Sequence, residues 1–328
     1  MMIAVIAGLR PAAARLTPMT APRAAGGPDR LLATGPLSDR EVGRYAAALG
    51  LPGLADIHVH LMPERVQAKV WEHFDRLPRP WPIRYRLPPG ERLATLARLG
   101  VVRHTALAYA HRPGMAAWLN EHTLGLARAH PAVVPSFTFY PEADAPAYVA
   151  GALAAGGRCA KVHLQVGRFH AADPRLDEVW AMLAARRVPV VIHASAVDDG
   201  SGGEEYCGPG EVAALLDRFP ELVLVVAHLG APDYAGFLGL ARAAPDLCFD
   251  TTMAITDPPF LGEFPARLLG QLEALGDRLL FGSDFPTIPH DYAAAVRGLT
   301  RLGFGTGWLR AVLWENAHRL LAEAAGNR

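Results

Sequence analysis

From residue 54 onward, short apolar runs alternate with longer amphipathic stretches, and the alternation repeats eight times. The runs are 54–60, 101–109, 133–141, 159–166, 189–195, 222–230, 247–252 and 279–286. They are apolar along their length rather than at every second position, which is the pattern of strands buried on both faces. Residues 91–99, 115–130, 144–155, 174–187, 211–219, 233–243 and 264–275 carry helical periodicity between them, and 292–302 and 307–325 follow the last run. Pro174 and Pro232 stand near the first turn of two of these stretches, where a missing N–H costs nothing. Strands alternating with helices in this way predict an α/β chain whose parallel sheet closes into a (β/α)8 TIM barrel. A doubly wound open sheet is the competing architecture. It would carry a G-x-G-x-x-G after an early strand or a Walker lysine motif, and the chain has neither.

The 328 residues suit one barrel, expected over 51–328, preceded by a poorly ordered extension over 1–50. Residues 11 to about 35 are rich in Ala, Pro, Arg and Gly without periodicity, as an upstream start codon would produce. Met1 to Leu9 is apolar but has no basic lead, and Arg10 interrupts it, which argues against a secretory signal. A short helix is expected over 38–49, with Ser38 as its cap and Glu41 three residues on. The insertion at 62–90 holds Trp71, Phe74, Trp81 and Tyr85 and is too long for a simple βα connection. It reads as a lid or partner-contact element over the barrel mouth.

A hydrophobic share of 51% supports a large core, while no apolar stretch reaches the roughly 18 residues of a membrane span. Acidic and basic residues balance at 32 each with no long run of either sign, so neither nucleic acid nor a membrane is an expected partner. Three scattered cysteines without a C-x-x-C fit a reducing cytoplasm. A cytoplasmic protein, with a small molecule rather than a nucleic acid or a membrane as its partner, is the expectation.

Its chemistry is written at the strand ends. Asp56-Ile57-His58-Val59-His60 closes the first run, and alternate side chains of a strand share a face, so His58 and His60 project side by side. Further ionisable residues interrupt otherwise apolar strands: Lys161 and His163, His193, His228 and Asp284. Any one of these histidines alone reads as a hydrogen-bonded core imidazole. So many together, among 13 histidines in all and at the end where a barrel keeps its active site, read as a site. Imidazoles with one carboxylate suit Zn²⁺, with Fe²⁺ or Mn²⁺ as alternatives.

The motifs Asp56-Ile57-His58-Val59-His60, Lys161-Val162-His163, Val191-Ile192-His193, Ala227-His228-Leu229-Gly230, Gly282-Ser283-Asp284-Phe285-Pro286 and Glu315-Asn316-Ala317 run in this order. In them the chain resembles the amidohydrolase superfamily, in particular its amidohydrolase family 2 branch of TIM-barrel hydrolases and decarboxylases. The resemblance implies that His58, His60, His193 and Asp284 hold one divalent metal. It implies that Asp284 moves the proton of the metal-activated water, and that His228 polarises the substrate carbonyl or ligates a second metal. Lys161, with His163, would bridge a second metal or bind substrate; one ion is favoured, leaving Lys161 for a substrate carboxylate. The implied activity is hydrolysis of an amide, lactone or ester-type bond. The alternative is decarboxylation or hydration of an aromatic or unsaturated acid at the same site. A homodimer is common in this branch.

Elementary chemistry points the same way. A divalent ion brings the pKa of water from 15.7 towards about 7, and a carboxylate beside that water can carry its proton. Asp56 shares parity with His58 and could orient an imidazole, or plug the barrel base. Arg168 and His111, with Arg112 and His170, follow strands and could contact substrate from the rim, or be solvated there. The segment 198–205 is glycine-rich and acidic, hence no phosphate cradle, and reads as a mobile loop beside the site.

Overall fold

The computed structural model describes residues 28–197 and 202–326. Eight parallel strands run in chain order: β1 Leu54–Asp56, β2 Val101–His104, β3 Ser136–Thr138, β4 Cys159–His163, β5 Val190–His193, β6 Leu224–Val226, β7 Cys248–Asp250 and β8 Leu279–Leu280. Each expected run contains one strand, though the ladders are shorter than the runs. β1 pairs with β2, and β3 to β8 form a second sheet in sequential order. The two seams are joined only by isolated bridges, His104 with Val133 and Val59 with Phe285. The ring is thus a barrel without continuous ladders all round. At the β1–β8 seam the chain stays extended beyond the ladder, with Ile57 N–H donating to Phe281 O at 2.9 Å and His60 N–H to Phe285 O at 2.8 Å.

The helices are α1 Pro28–Thr34, α2 Asp39–Ala48, α3 Glu64–Asp75, α4 Pro89–Arg98, α5 Ala116–Ala129, α6 Ala145–Ala154, α7 Leu164–Gly167, α8 Asp177–Ala185, α9 Pro209–Arg218, α10 Tyr234–Leu240, α11 Leu269–Ala274, α12 Tyr292–Arg301, α13 Thr306–Arg310 and α14 Asn316–Gly326. One apolar layer packs the barrel's outer face against these helices. A second, including Val134, Cys159, Val191, Val225 and Leu280, fills the barrel towards its N-terminal end against Ala317 and Leu321 of α14. Positions of the same parity further along the strands lie on the same face. They are Lys161 and His163, His193, Asp250, and Gly282 and Asp284.

Part of the expected extension is ordered. Residues 1–27 lie outside the described residues, but Pro28–Thr34, placed in the unordered stretch by composition, is helical with Leu31 buried. In α2, Ser38 stands at the cap position without a side-chain capping bond. Glu41 instead accepts the Leu37 N–H at 2.8 Å and pairs with Arg30, tying α1 to α2. Tyr45 of α2 hydrogen-bonds Thr300 of α12 at 2.7 Å, so these helices are packed against the barrel's own shell. The insertion at 62–90 is docked on the segment that follows Asp284. Trp81 Nε1 donates to Thr287 O at 2.8 Å, Arg84 N–H to Ile288 O at 2.8 Å, and Gln67 Nε2 to Thr287 Oγ1 at 3.2 Å. Of the loop at 198–205, residues 198–201 lie outside the described residues, and Glu204–Tyr206 forms a single 3-10 turn.

Candidate active site

His58 and His60 leave the β1 ladder side by side, and Asp284 arrives from beyond β8. Their ligand atoms all lie within 4.8 Å of one another, the one such histidine–carboxylate group among the described residues. His60 Nε2 is 3.0 Å and His58 Nε2 3.9 Å from Asp284 Oδ1. Ligands about 2.0–2.2 Å from a tetrahedral ion stand about 3.3–3.6 Å apart, so these spacings bracket what one ion requires.

The other ring nitrogens are committed in the sense a metal site needs. His60 Nδ1 faces Leu107 O at 3.0 Å, and a carbonyl only accepts, so Nδ1 carries the proton and Nε2 the lone pair. His58 Nδ1 donates to Asp250 Oδ2 at 2.8 Å. Burial, reinforced by the Lys161 charge, lowers His58 to about 4, so at neutral pH its ring is uncharged and its Nε2 likewise presents a lone pair. Two lone pairs and a carboxylate pointing at each other in a buried site is an unfavourable arrangement until a cation sits among them. The donor set therefore fits a divalent metal.

Asp250 is the residue that the strand-end reading missed. It ends β7, is fully buried, and uses both oxygens. Oδ2 takes His58 Nδ1–H, while Oδ1 accepts the amides of His228 at 2.9 Å and Thr252 at 3.1 Å. Burial acts to raise its pKa, but the hydrogen bond from His58 opposes it and the net shift is downward. Asp56, for which the sequence left open an imidazole's partner or a polar plug at the barrel base, does not meet the imidazole. It accepts the backbone amides of His58 and Ser283, each at 3.1 Å, and Tyr292 OH at 2.8 Å. Burial pushes it up to about 7 against those bonds. Asp56 thus laces β1, β8 and α12 together below the site, while an Asp on a different strand orients the imidazole.

This division yields a test. In Asp250→Asn the amide can present N–H to His58 Nδ1, moving the ring proton to Nε2 and blocking the ligand atom. Divalent-metal affinity is expected to fall about 10–100-fold, read by chelator competition. Unchanged affinity would remove Asp250 from the site's machinery.

His228 and Asp284 both take left-handed backbone conformations, φ 58° and 70°. Such conformations are costly for non-glycine residues and persist where surrounding bonds impose them. Asp250 Oδ1 holds the His228 amide, and His58 O accepts the Asp284 amide at 2.8 Å. His228 Nδ1 faces Thr252 O at 3.1 Å, so its Nε2 is left as an acceptor. Its ring centroid is 5.2 Å from that of His58 and 5.0 Å from that of His193. His193 stands outside the group of three, and its Nε2 is buried without a hydrogen-bond partner. Lys161 Nζ is 3.4 Å from His58 Nε2, and burial lowers its ammonium to about 8 against the pull of Asp250 and Asp284. Burial acts to raise the Asp284 carboxyl's pKa, but the neighbouring His60, His58 and His228 outweigh it, and the net shift is downward. Tyr109, another residue not singled out from sequence, stands 5.7 Å from His60 and 5.0 Å from His163, centroid to centroid.

The rim candidates divide. Arg168 caps α7 in a left-handed conformation and lies beside Gly202. His111 is exposed beyond the β2 end. His170 is turned to Glu211 at 2.9 Å, away from the site's histidines. Arg84 and Arg86 of the insertion are ion-paired with Asp291 and Asp75.

A parallel barrel with histidines and an aspartate converging at the C-terminal ends of its strands is an arrangement that can hold a divalent ion. The chain belongs to the amidohydrolase family, whose model matches residues 55–322. Among solved structures it is similar to an uncharacterised TIM-barrel protein from Bordetella bronchiseptica, at 19% identity, 83% of this chain, 99% of that one and a TM-score of 0.63. It is also similar to 4-oxalomesaconate hydratase from Rhodopseudomonas palustris, at 16% identity over 84% and 97% of the two chains with a TM-score of 0.54. Dihydroorotase from Campylobacter jejuni shares 13% identity over 81% and 82%, with a TM-score of 0.51. At these identities the likeness is one of fold. No curated protein matches. No helix among the described residues is long and apolar enough to cross a membrane.

Proposed function

We propose that the protein is a metal-dependent hydrolase acting on an amide, lactone or ester-type bond of a small molecule. The observation that carries this reading is the group formed by His58, His60 and Asp284, with both imidazoles presenting Nε2 and Asp250 behind one of them. These three would hold a single divalent ion, Zn²⁺ in our reading, with His193 as the fourth donor because its buried Nε2 has no other partner. Such an ion supplies Lewis acidity and brings the pKa of water towards about 7. Asp284 takes the proton of the attacking water and returns it to the leaving nitrogen or oxygen as the acyl bond breaks. His228 Nε2, an acceptor by the bond at its other nitrogen, steadies a donor group on the substrate or takes a proton from it. Burial of the whole group strengthens each of these electrostatic contacts.

A second reading is favoured by Lys161. A buried ammonium beside the histidines suits a substrate carboxylate, as a decarboxylase or hydratase of an unsaturated acid would need. Assaying the zinc-loaded protein on lactones, amides, esters and aromatic or unsaturated acids, with CO₂ scored apart from hydrolysis, separates the two. On any substrate found, Asp284→Asn is expected to leave the circular dichroism spectrum intact and to cut turnover about 10²–10⁴-fold. Turnover at the parent rate would place the proton route elsewhere.

A further inference from the structure

We propose that His163 is a substrate-facing hydrogen-bond donor and the stacking support of His193, and that it is not a metal ligand. The inference rests on the hydrolase reading of the site and assigns within it a residue whose type alone would suit a ligand.

Three observations meet at this ring. The first is its tautomer. Val166 N–H, in the turn of α7 that begins directly after β4, donates to His163 Nδ1 at 3.3 Å. A nitrogen that accepts a hydrogen bond carries a lone pair, so the ring proton resides on Nε2. That is the reverse of His60 and His228, whose Nδ1 atoms face carbonyl oxygens. An imidazole bound to the chain through its Nδ1 lone pair has only an N–H left to offer, and an N–H cannot ligate a cation.

The second is its packing. The His163 ring lies flat on His193, with centroids 3.8 Å apart and planes 15° apart, while Tyr109 closes its other side at 5.0 Å. β4 and β5 pair in register at these two residues, so the stack follows from the ladder itself. It fixes the plane of the ring whose Nε2 has no hydrogen-bond partner.

The third is access. Within β4, Cys159 to Val162 are buried, and His163 alone is partly exposed. A donor at the open end of the strand, beside Lys161 on the same face, is placed to meet a carbonyl or carboxylate oxygen entering from the mouth. Lys161 Nζ, 3.4 Å from His58 Nε2, and His163 Nε2–H are then two donors on one face of β4, available to a substrate oxygen beside the ligand group.

The test uses the full chain and three readouts. Two-bond ¹H–¹⁵N spectra of the metal-free parent report the tautomer directly, with His163 expected as Nε2–H; a proton on Nδ1 overturns the inference whatever the fate of the hydrolase reading. His163→Phe preserves the stack and removes both nitrogens. It is expected to keep the parent's Zn²⁺ stoichiometry, with affinity by chelator competition within about threefold. A loss of tenfold or more makes His163 a ligand and sinks the proposal. Benzoate and benzamide serve as oxygen-bearing probes of the zinc-loaded protein. Their binding should weaken about tenfold in His163→Phe, as loss of one hydrogen bond implies, and recover in part in His163→Gln, which restores an N–H. Equal binding in all three proteins, or none to the parent, overturns the donor assignment. Absence of Zn²⁺ binding in the parent strikes the hydrolase reading instead, and the tautomer still decides the ring's role.

Discussion

Replacing His60 with alanine is expected to take the protein from about one equivalent of tightly held divalent metal to a small fraction of one, measured by elemental analysis after dialysis. The change deletes the Nε2 nearest to Asp284, the bond to Leu107 O and the ring contacts with His58 and Tyr109. The protein should remain folded, because the Asp284 carboxylate that loses His60 is partly open to solvent and keeps its backbone bonds. His58→Ala is expected to lose the metal as completely and also to lose stability. Its Nδ1–H donates to Asp250 Oδ2, and a buried carboxylate oxygen left unmatched costs about 1–3 kcal/mol or more. The pair of variants separates ligation from scaffolding: both should fail in metal binding, and only His58→Ala should show a clearly lower Tm. Full metal retention in both would dissolve the site as described, and equal stability would mean that the His58–Asp250 contact contributes little.

The contrast between Asp56 and Asp250 shows what can be read along a chain and what cannot. Parity along one strand is visible in sequence, and it placed His58 with His60 and Lys161 with His163 correctly on shared faces. The alternation of apolar runs and helices placed all eight strands, because each run must be buried on both sides. Asp250 escaped although it stands two residues from the end of an expected run as Asp284 does, and the same logic, a carboxylate in a buried run, applied to both. Its partner could not have been read off at all. Two residues apart on one strand, Asp56 and His58 point in parallel and do not meet ring to carboxylate. The carboxylate that does meet the ring comes from β7, across the barrel, and that proximity is a property of closure. The left-handed conformations of His228 and Asp284 are equally silent in sequence, since neither is glycine. The seams between β2 and β3 and between β8 and β1 were invisible for a related reason. Runs long enough for full strands spend their C-terminal residues projecting site side chains rather than extending ladders.

The His58–Asp250 contact depends on one glycine, and this leads to the second large effect. β8 lies between β7 and β1, yet Asp250 and His58 touch across it. They can do so because position 282 has no side chain. A Cβ there would lie 2.2 Å from Thr252 Oγ1, 2.8 Å from His58 Cβ and 3.4 Å from Asp250 Cβ. The first two are closer than non-bonded carbon approaches oxygen or carbon, and the surroundings are fully buried, so His58 or the 250–252 segment has to move. Overpacking of this kind costs about 1–3 kcal/mol. Because the displaced atoms belong to the His58–Asp250 pair, the loss should appear in metal affinity as well as in Tm. Gly282→Ala is therefore expected to lower both together. Gly270→Ala is the control. Position 270 is exposed in α11 with nothing within 4 Å of an added Cβ, and there alanine should stabilise by about 0.5–1 kcal/mol and leave metal binding unchanged. The measurement is a thermal melt with and without Zn²⁺ for the two variants. If Gly282→Ala kept the parent's Zn²⁺-induced rise in Tm, β1 and β7 could meet without the gap, and His58 would owe its orientation to something other than Asp250.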